Sequence, residues 1–279
     1  MLQIKNLSFR YGKHRVFQDF RLDVPDGQVC LITGVNGVGK STLLKLIAGV
    51  LRPDAGTIEF PGSKGRDPKR KIGFISDNLS LYRTLTVSQA IRYHQDVYGV
   101  RSFDDSLIRH TKIEKSQKIR DLSAGQRTIF HLSLILSAEP DILLIDEVIH
   151  SIDAYLRKLF LDQLIALISK RAVTVLLVNL NFYDIEHLVD RVILLRSGRI
   201  LVDEPIEELK SKVKKIVASK QPTGLAVLSQ SDFSGYSEFY VYPYQPGLAG
   251  YIEGNVVDLD LTQIVSAFIG GEYAEQRIS

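Results

Sequence analysis

Tryptophan is missing from the 279 residues, and cysteine and methionine occur once each. A single thiol, Cys30, excludes an internal disulfide and suits a reducing compartment. No apolar run approaches the roughly 18 residues of a membrane-spanning helix, so the chain is expected not to cross a bilayer. Met1 leads straight into an alternating strand pattern. There is no basic stretch followed by an apolar one, so no secretory leader is expected. Excess charge is scarce too: 35 Lys and Arg against 32 Asp and Glu leave +3, too little to argue for nucleic acid. No internal repeat or low-complexity tract stands out. What remains is an ordinary globular composition, 45% hydrophobic and 24% charged. The length suits a domain of about 200 residues plus a small appendage.

Strand and helix patterns alternate along most of the chain. Leu2 to Phe9 and Val16 to Val24 read as strands, with a turn at Pro25-Asp26-Gly27. Gln28 to Thr33 is a short apolar strand, and Lys40 to Val50 a helix stopped by Arg52-Pro53. Thr57 to Phe60 and Lys71 to Ile75 read as strands around a polar loop. The stretch 86–118 is expected to be mostly helical, and another helix follows Ser123. Ile142 to Ile145 (strand), Ala154 to Ser169 (helix) and Val173 to Val178 (strand) complete a parallel sheet with helical crossovers. After about residue 212 the texture changes. Lys210, Lys212, Lys214 and Lys215 form a basic run, followed by a Tyr-rich, strand-like segment closing in a short helix at Thr262 to Ile269.

Two motifs carry chemistry. Residues 34–42, GVNGVGKST, lie between a strand and a helix and match G-x-x-x-x-G-K-[ST]. Gly37 and Gly39 let backbone N–H groups turn inward around phosphate oxygens, beside Asn36, and the helix start adds its positive end at Thr42. Lys40 is placed to neutralise the β- and γ-phosphates and Ser41 to ligate Mg²⁺. Residues 142–147, ILLIDE, end an apolar strand in two carboxylates. Asp146 suits Mg²⁺, and Glu147 the orientation and deprotonation of an attacking water.

LSAGQ, residues 122–126, places Ser123 and Gln126 as a capping box. The phosphate loop, LSAGQ and ILLIDE, in this order and spacing, resemble the nucleotide-binding subunit of an ATP-binding cassette (ABC) transporter over roughly residues 1–212. The resemblance implies an α/β P-loop ABC ATPase fold: a mostly parallel sheet core, an antiparallel β-subdomain and a helical arm at about 86–138. A small α+β appendage would follow at 213–279. It implies ATP and Mg²⁺ as ligands and adenine stacking on Tyr11, although Tyr11 also reads as an ordinary strand-end aromatic. It implies that Ser123, Gly125 and Gln126 reach the γ-phosphate held by a second nucleotide-binding subunit. Ser151-Ile152-Asp153 would lie at that dimer seam, with Asp153 also placed to cap the next helix. An integral membrane permease would dock on the arm at the cytoplasmic face of the membrane. One cassette without sustained heptads argues against the family's DNA- or ribosome-acting members. The tail leans mildly toward the exporter type, and a weakly hydrolysing regulatory subunit is the alternative.

The sequence departs from the family's text at two points. Asp77 stands where a glutamine is common; it reads either as a metal-side ligand or as a turn residue. Aligning Asp190-Arg191-Val192 with the family's Asp-Arg-Val places Leu180 where a histidine contacts the γ-phosphate. Leucine donates no hydrogen bond, so slow hydrolysis is expected. Val148 replaces a proline, and neither His150 nor His187 is well placed as a substitute.

Overall fold

The computed structural model describes residues 1–61, 71–76, 83–148, 152–178, 182–245, 247 and 254–276, with 271–276 by backbone alone. The chain begins with a hairpin, β1 (Leu2–Tyr11) and β2 (His14–Val24). Its alternation sets Leu2, Ile4, Leu7 and Phe9 beside Phe17, Phe20, Leu22 and Val24 in one apolar layer. β3 (Val29–Gly34) is buried throughout, and burial pushes the Cys30 thiol up to about 12. α1 (Lys40–Ile47) follows. It ends earlier than the apolar pattern suggests because Gly49 adopts φ 72°. Val50 N–H then bonds the Lys45 carbonyl and Gly49 N–H that of Leu46, closing a Schellman motif. β4 (Ala55–Glu59) returns to β1 and completes an antiparallel sheet of order β2-β1-β4.

The main sheet joins β3 to β5 (Ile72–Ser76), β6 (Ile142–Asp146), β7 (Thr174–Val178), β8 (Arg191–Arg196) and β9 (Arg199–Pro205). The order is β5-β6-β7-β3-β8-β9, parallel except for the β8–β9 pair. Alternate residues of these strands feed two cores. Leu31, Leu143, Ile145, Val175 and Leu177 face one with Ile129, Phe160 and Leu164. Cys30, Ile32, Leu144, Leu176 and Val178 face the other with α1 and the hairpin. Burial on both faces is why these strands read as continuous apolar runs instead of alternating ones.

The arm between β5 and β6 is less helical than expected. It holds α2 (Val87–Tyr98), the single turn α3 (Ser106–Arg109), a 3₁₀ turn at Ile119–Asp121 and α4 (Ala124–Ser137). α2 stops at Gly99, which takes φ 68°. The chain then runs back along the start of α2, where Val87 and Ser88 donate to the Gln117 and Lys115 carbonyls. Those carbonyls serve a neighbouring helix, so the local helical pattern is overridden. α5 (Ala154–Lys170) links β6 to β7, and α6 (Ile206–Lys212) follows β9.

The C-terminal residues form β10 (Lys214–Ala218), β11 (Val227–Phe233), β12 (Tyr236–Val241) and β13 (Asn255–Val257), an antiparallel sheet of order β11-β12-β10-β13, then α7 (Leu261–Gln276). α7 is longer than the pattern suggests. Its Leu261, Ile264, Val265 and Phe268 join the same core as Leu31 and Val192. The basic run is neutralised within the fold. Lys210 pairs with Glu186, Lys212 with Glu204 and Glu208, Lys214 with Asp258 and Lys215 with Glu238. Hydrogen bonds to Glu208 and Glu204 raise the Lys212 ammonium above its usual range.

Candidate functional site

The carboxyl ends of the parallel strands converge on the loop between β3 and α1. Gly34 approaches β8 so closely that a Cβ would sit 2.3 Å from the Leu195 carbonyl oxygen. Gly39, at φ 113°, lies against the hairpin: a Cβ would meet Val16 Cγ1 at 2.7 Å and Phe17 Cζ at 2.8 Å. Gly37 has φ 82° and open space above it. Lys40 folds back under the loop, its Nζ donating to the Gly34 carbonyl at 2.9 Å and the Val35 carbonyl at 3.1 Å. Burial lowers the ammonium's pKa, while Glu147 and Asp146 oppose that shift. These carboxylates favour the charged form of a lysine that burial would otherwise neutralise.

α1 crosses from β3 over β7 to β6. Ser41 in its first turn therefore reaches the end of β6, where its Oγ donates to Asp146 Oδ1 at 2.8 Å. Asp146 is buried and Glu147, just beyond the strand, is half-buried. Glu147 takes φ 51°, a left-handed conformation uncommon for a side-chain-bearing residue. Its N–H donates to the Val178 carbonyl at 3.0 Å. No motif in the sequence signals that turn. β7 lies between β3 and β6, so Val178 is flanked by Ile32 and Asp146. The exit of β7 thus adjoins the phosphate loop and the acidic pair. Val148 is buried in the core, an apolar fit where the family text has proline.

Tyr11 stands half-exposed at the hairpin end with its ring edge-on to Phe9 at 4.9 Å. Phe9 pairs with Phe17, and Phe17 abuts Gly39, so the aromatic path runs from Tyr11 toward the loop. Asn36 is exposed on the loop, and Thr42 is buried in α1.

Ser123, Gly125 and Gln126 form a second cluster at the start of α4. The capping box is complete: Gln126 N–H donates to Ser123 Oγ at 3.1 Å and Ser123 N–H to Gln126 Oε1 at 3.0 Å. Gln126 Nε2 also donates to the Thr111 carbonyl at 2.9 Å, so its amide is engaged at both ends. Gly125 presses on α5, where a Cβ would sit 2.6 Å from Leu156 Cδ1. Asp153 caps α5 by accepting from Tyr155 and Leu156 N–H, each at 3.0 Å. Asp77, Leu180, His150 and Ser151 lie outside the described residues. His187 sits in the short 3₁₀ turn at Glu186–Leu188.

A glycine-lined loop, a buried lysine, and a hydroxyl and carboxylate at hydrogen-bond distance provide donors for a phosphate chain and oxygen ligands for a hard cation. Fold and site together define a P-loop nucleotide-binding protein. The family model described as ABC transporter matches residues 17–150. A probable sulfate/thiosulfate import ATP-binding protein of Chlorella vulgaris is 30% identical over 220 residues, covering 74% of this chain and 92% of that protein. The Escherichia coli K12 sulfate/thiosulfate import ATP-binding protein is 30% identical over 213 residues, 71% of this chain but only 58% of that protein. Among solved structures, an ATP-binding subunit of an ABC transporter superposes with TM-score 0.68 at 24% identity, covering 75% of this chain and 92% of that one. A dimeric ATP-binding cassette bound to ADP and phosphate gives 0.62 at 21%. The chain belongs to the ABC transporter family, as a nucleotide-binding subunit. No helix among the described residues is long and apolar enough to cross a membrane.

Proposed function

We propose that this chain energises uptake through a separate membrane permease, closing with a second nucleotide-binding subunit around MgATP. Residues 1–212 act as the cassette and 213–279 as an accessory unit packed on it. The bond between Ser41 and Asp146 beside buried Lys40 carries this reading. Ser41 and Asp146, with Asp77, would hold Mg²⁺, and the Gly37–Thr42 loop with Asn36 and Lys40 would cradle the phosphates. The metal supplies charge that offsets the γ-phosphate. Glu147 holds the attacking water and accepts its proton. Tyr11 stacks on the base. Ser123, Gly125 and Gln126 serve the partner subunit's nucleotide. For Gln126 this means keeping Ser123 oriented, since its own amide is engaged. The import named for the relatives supports uptake over the exporter type; in this reading the chain works at the cytoplasmic face of the membrane.

Hydrolysis by the isolated chain is slow, because Leu180 supplies no donor to the γ-phosphate. Losing one such transition-state bond costs about 10²–10³ in rate. Glu147→Gln tests the assignment. Turnover should fall at least a further tenfold while nucleotide binding, followed by titration calorimetry, persists. Equal turnover in native chain and variant would remove Glu147 from the chemistry and favour a binding-only regulatory subunit.

A further inference from the structure

We propose that Glu186 is a positioning residue for ATP hydrolysis, fixing the segment that leaves β7 and tying it to the C-terminal unit. This rests on the reading above, in which the end of β7 faces the γ-phosphate.

The segment 182–190 begins four residues after Val178, the strand end flanked by Ile32 and Asp146. Its apolar side chains, Phe182, Ile185 and Val189, are buried in one core with Leu261, Ile264 and Phe268 of α7. Its acids bind neighbouring elements, with Asp190 Oδ2 accepting from Val29 N–H of β3 at 2.8 Å. Asp184 accepts from Arg157 Nη1 at 3.1 Å. Arg157 lies one turn after Asp153, and its N–H bonds the Asp153 carbonyl. Glu186 uses both oxygens. Oε1 pairs with Lys210 of α6, and Oε2 accepts the Leu261 N–H at 3.3 Å. Leu261 is the first residue of α7, so Glu186 satisfies one of that helix's orphan donors and places a negative charge at its positive end.

One carboxylate therefore joins three elements: the segment leaving β7, α6 and α7. Remove it and residues 182–190 lose their tie to α6 and α7, keeping the Asp184 pair, the Asp190 bonds to Val29 and their apolar packing. The phosphate loop does not depend on it, since Lys40 is anchored by the Gly34 and Val35 carbonyls. Loss of Glu186 should move the strand exit against Glu147 and leave nucleotide binding intact. Misplacement of a reacting geometry by about 1 Å costs up to about a hundredfold in rate.

The test uses the full chain with single-turnover ATP hydrolysis, nucleotide titration, and amide hydrogen exchange of the nucleotide-free protein. Glu186→Ala should lower the hydrolysis rate roughly tenfold with nucleotide affinity within about twofold. Exchange should quicken over 182–190 but not over 29–47. Glu186→Gln keeps an acceptor for Leu261 N–H and should retain most of the rate. The swap Glu186→Lys with Lys210→Glu restores the ion pair without that acceptor, and should be as slow as Glu186→Ala. Faster exchange with an unchanged rate makes Glu186 merely structural and overturns the proposal. So does a loss of affinity at unchanged rate, or quickened exchange over 29–47. If Lys40→Ala leaves hydrolysis unchanged, the functional reading itself fails; if only the Glu186 variants are neutral, this proposal alone does.

Discussion

His131 on α4 gives a quantitative test of the arm's packing. Burial, and secondarily His94 on α2, pushes its imidazole down to about 4 from 6.5. His94 is itself lowered by burial, although a ring N–H donates to the Leu134 carbonyl. Among the described residues neither His131 Nδ1 nor His94 Nε2 has a hydrogen-bond partner. A group with a depressed folded pKa takes up its proton first in the unfolded chain. Stability is therefore full above the unfolded pKa, falls as pH drops from 6.5 to 4, and levels off below. The loss is about 3 kcal/mol, from 1.36 kcal/mol per pKa unit. That is a large share of a typical net stability of about 5–15 kcal/mol. Urea unfolding of the native chain and of His131→Leu, between about pH 7.5 and 4, isolates it, because carboxylates titrate alike in both and cancel in the difference. The native chain should lose about 3 kcal/mol relative to the variant, roughly half of it by about pH 5.5. Parallel curves would refute the reasoning and mean that water reaches the ring in the folded arm.

Gly39→Ala sets a Cβ into Val16 and Phe17 at a left-handed backbone position. It should lower stability by about 1–3 kcal/mol and abolish nucleotide binding. A native-like melting temperature with normal ATP titration would contradict the packing of the loop on the hairpin. Leu180→His should raise ATP turnover about tenfold or more at nearly unchanged ATP affinity. No gain would mean that the slow step lies elsewhere.

The phosphate loop, the acidic strand end and the capping box at Ser123 were legible because each depends on a few residues close in sequence. Ser123 with Gln126 is an example: four positions specify the whole geometry. The left-handed Glu147 was not legible, since that turn is set by its N–H meeting Val178 on a strand more than thirty residues away. The arm misled for a similar reason: Val87 and Ser88 take partners from 115–117, which no helical periodicity reports. The engagement of Gln126 with Thr111, and of Gly125 with Leu156, is likewise tertiary. Helix α7 showed the right pattern, but nothing local announced that its apolar face completes the core of the main sheet.

The four lysines of the basic run, each matched to an acid, make the junction between the cassette and its C-terminal unit electrically quiet. Long-range steering needs unbalanced charge and fades with salt. The four paired lysines offer little of that pull. Association on this side is left to shape and apolar contact, so its on-rate should be slow and nearly indifferent to ionic strength. Charge reversal of a single lysine would do more than weaken one pair: it would leave a local excess of negative charge at the junction.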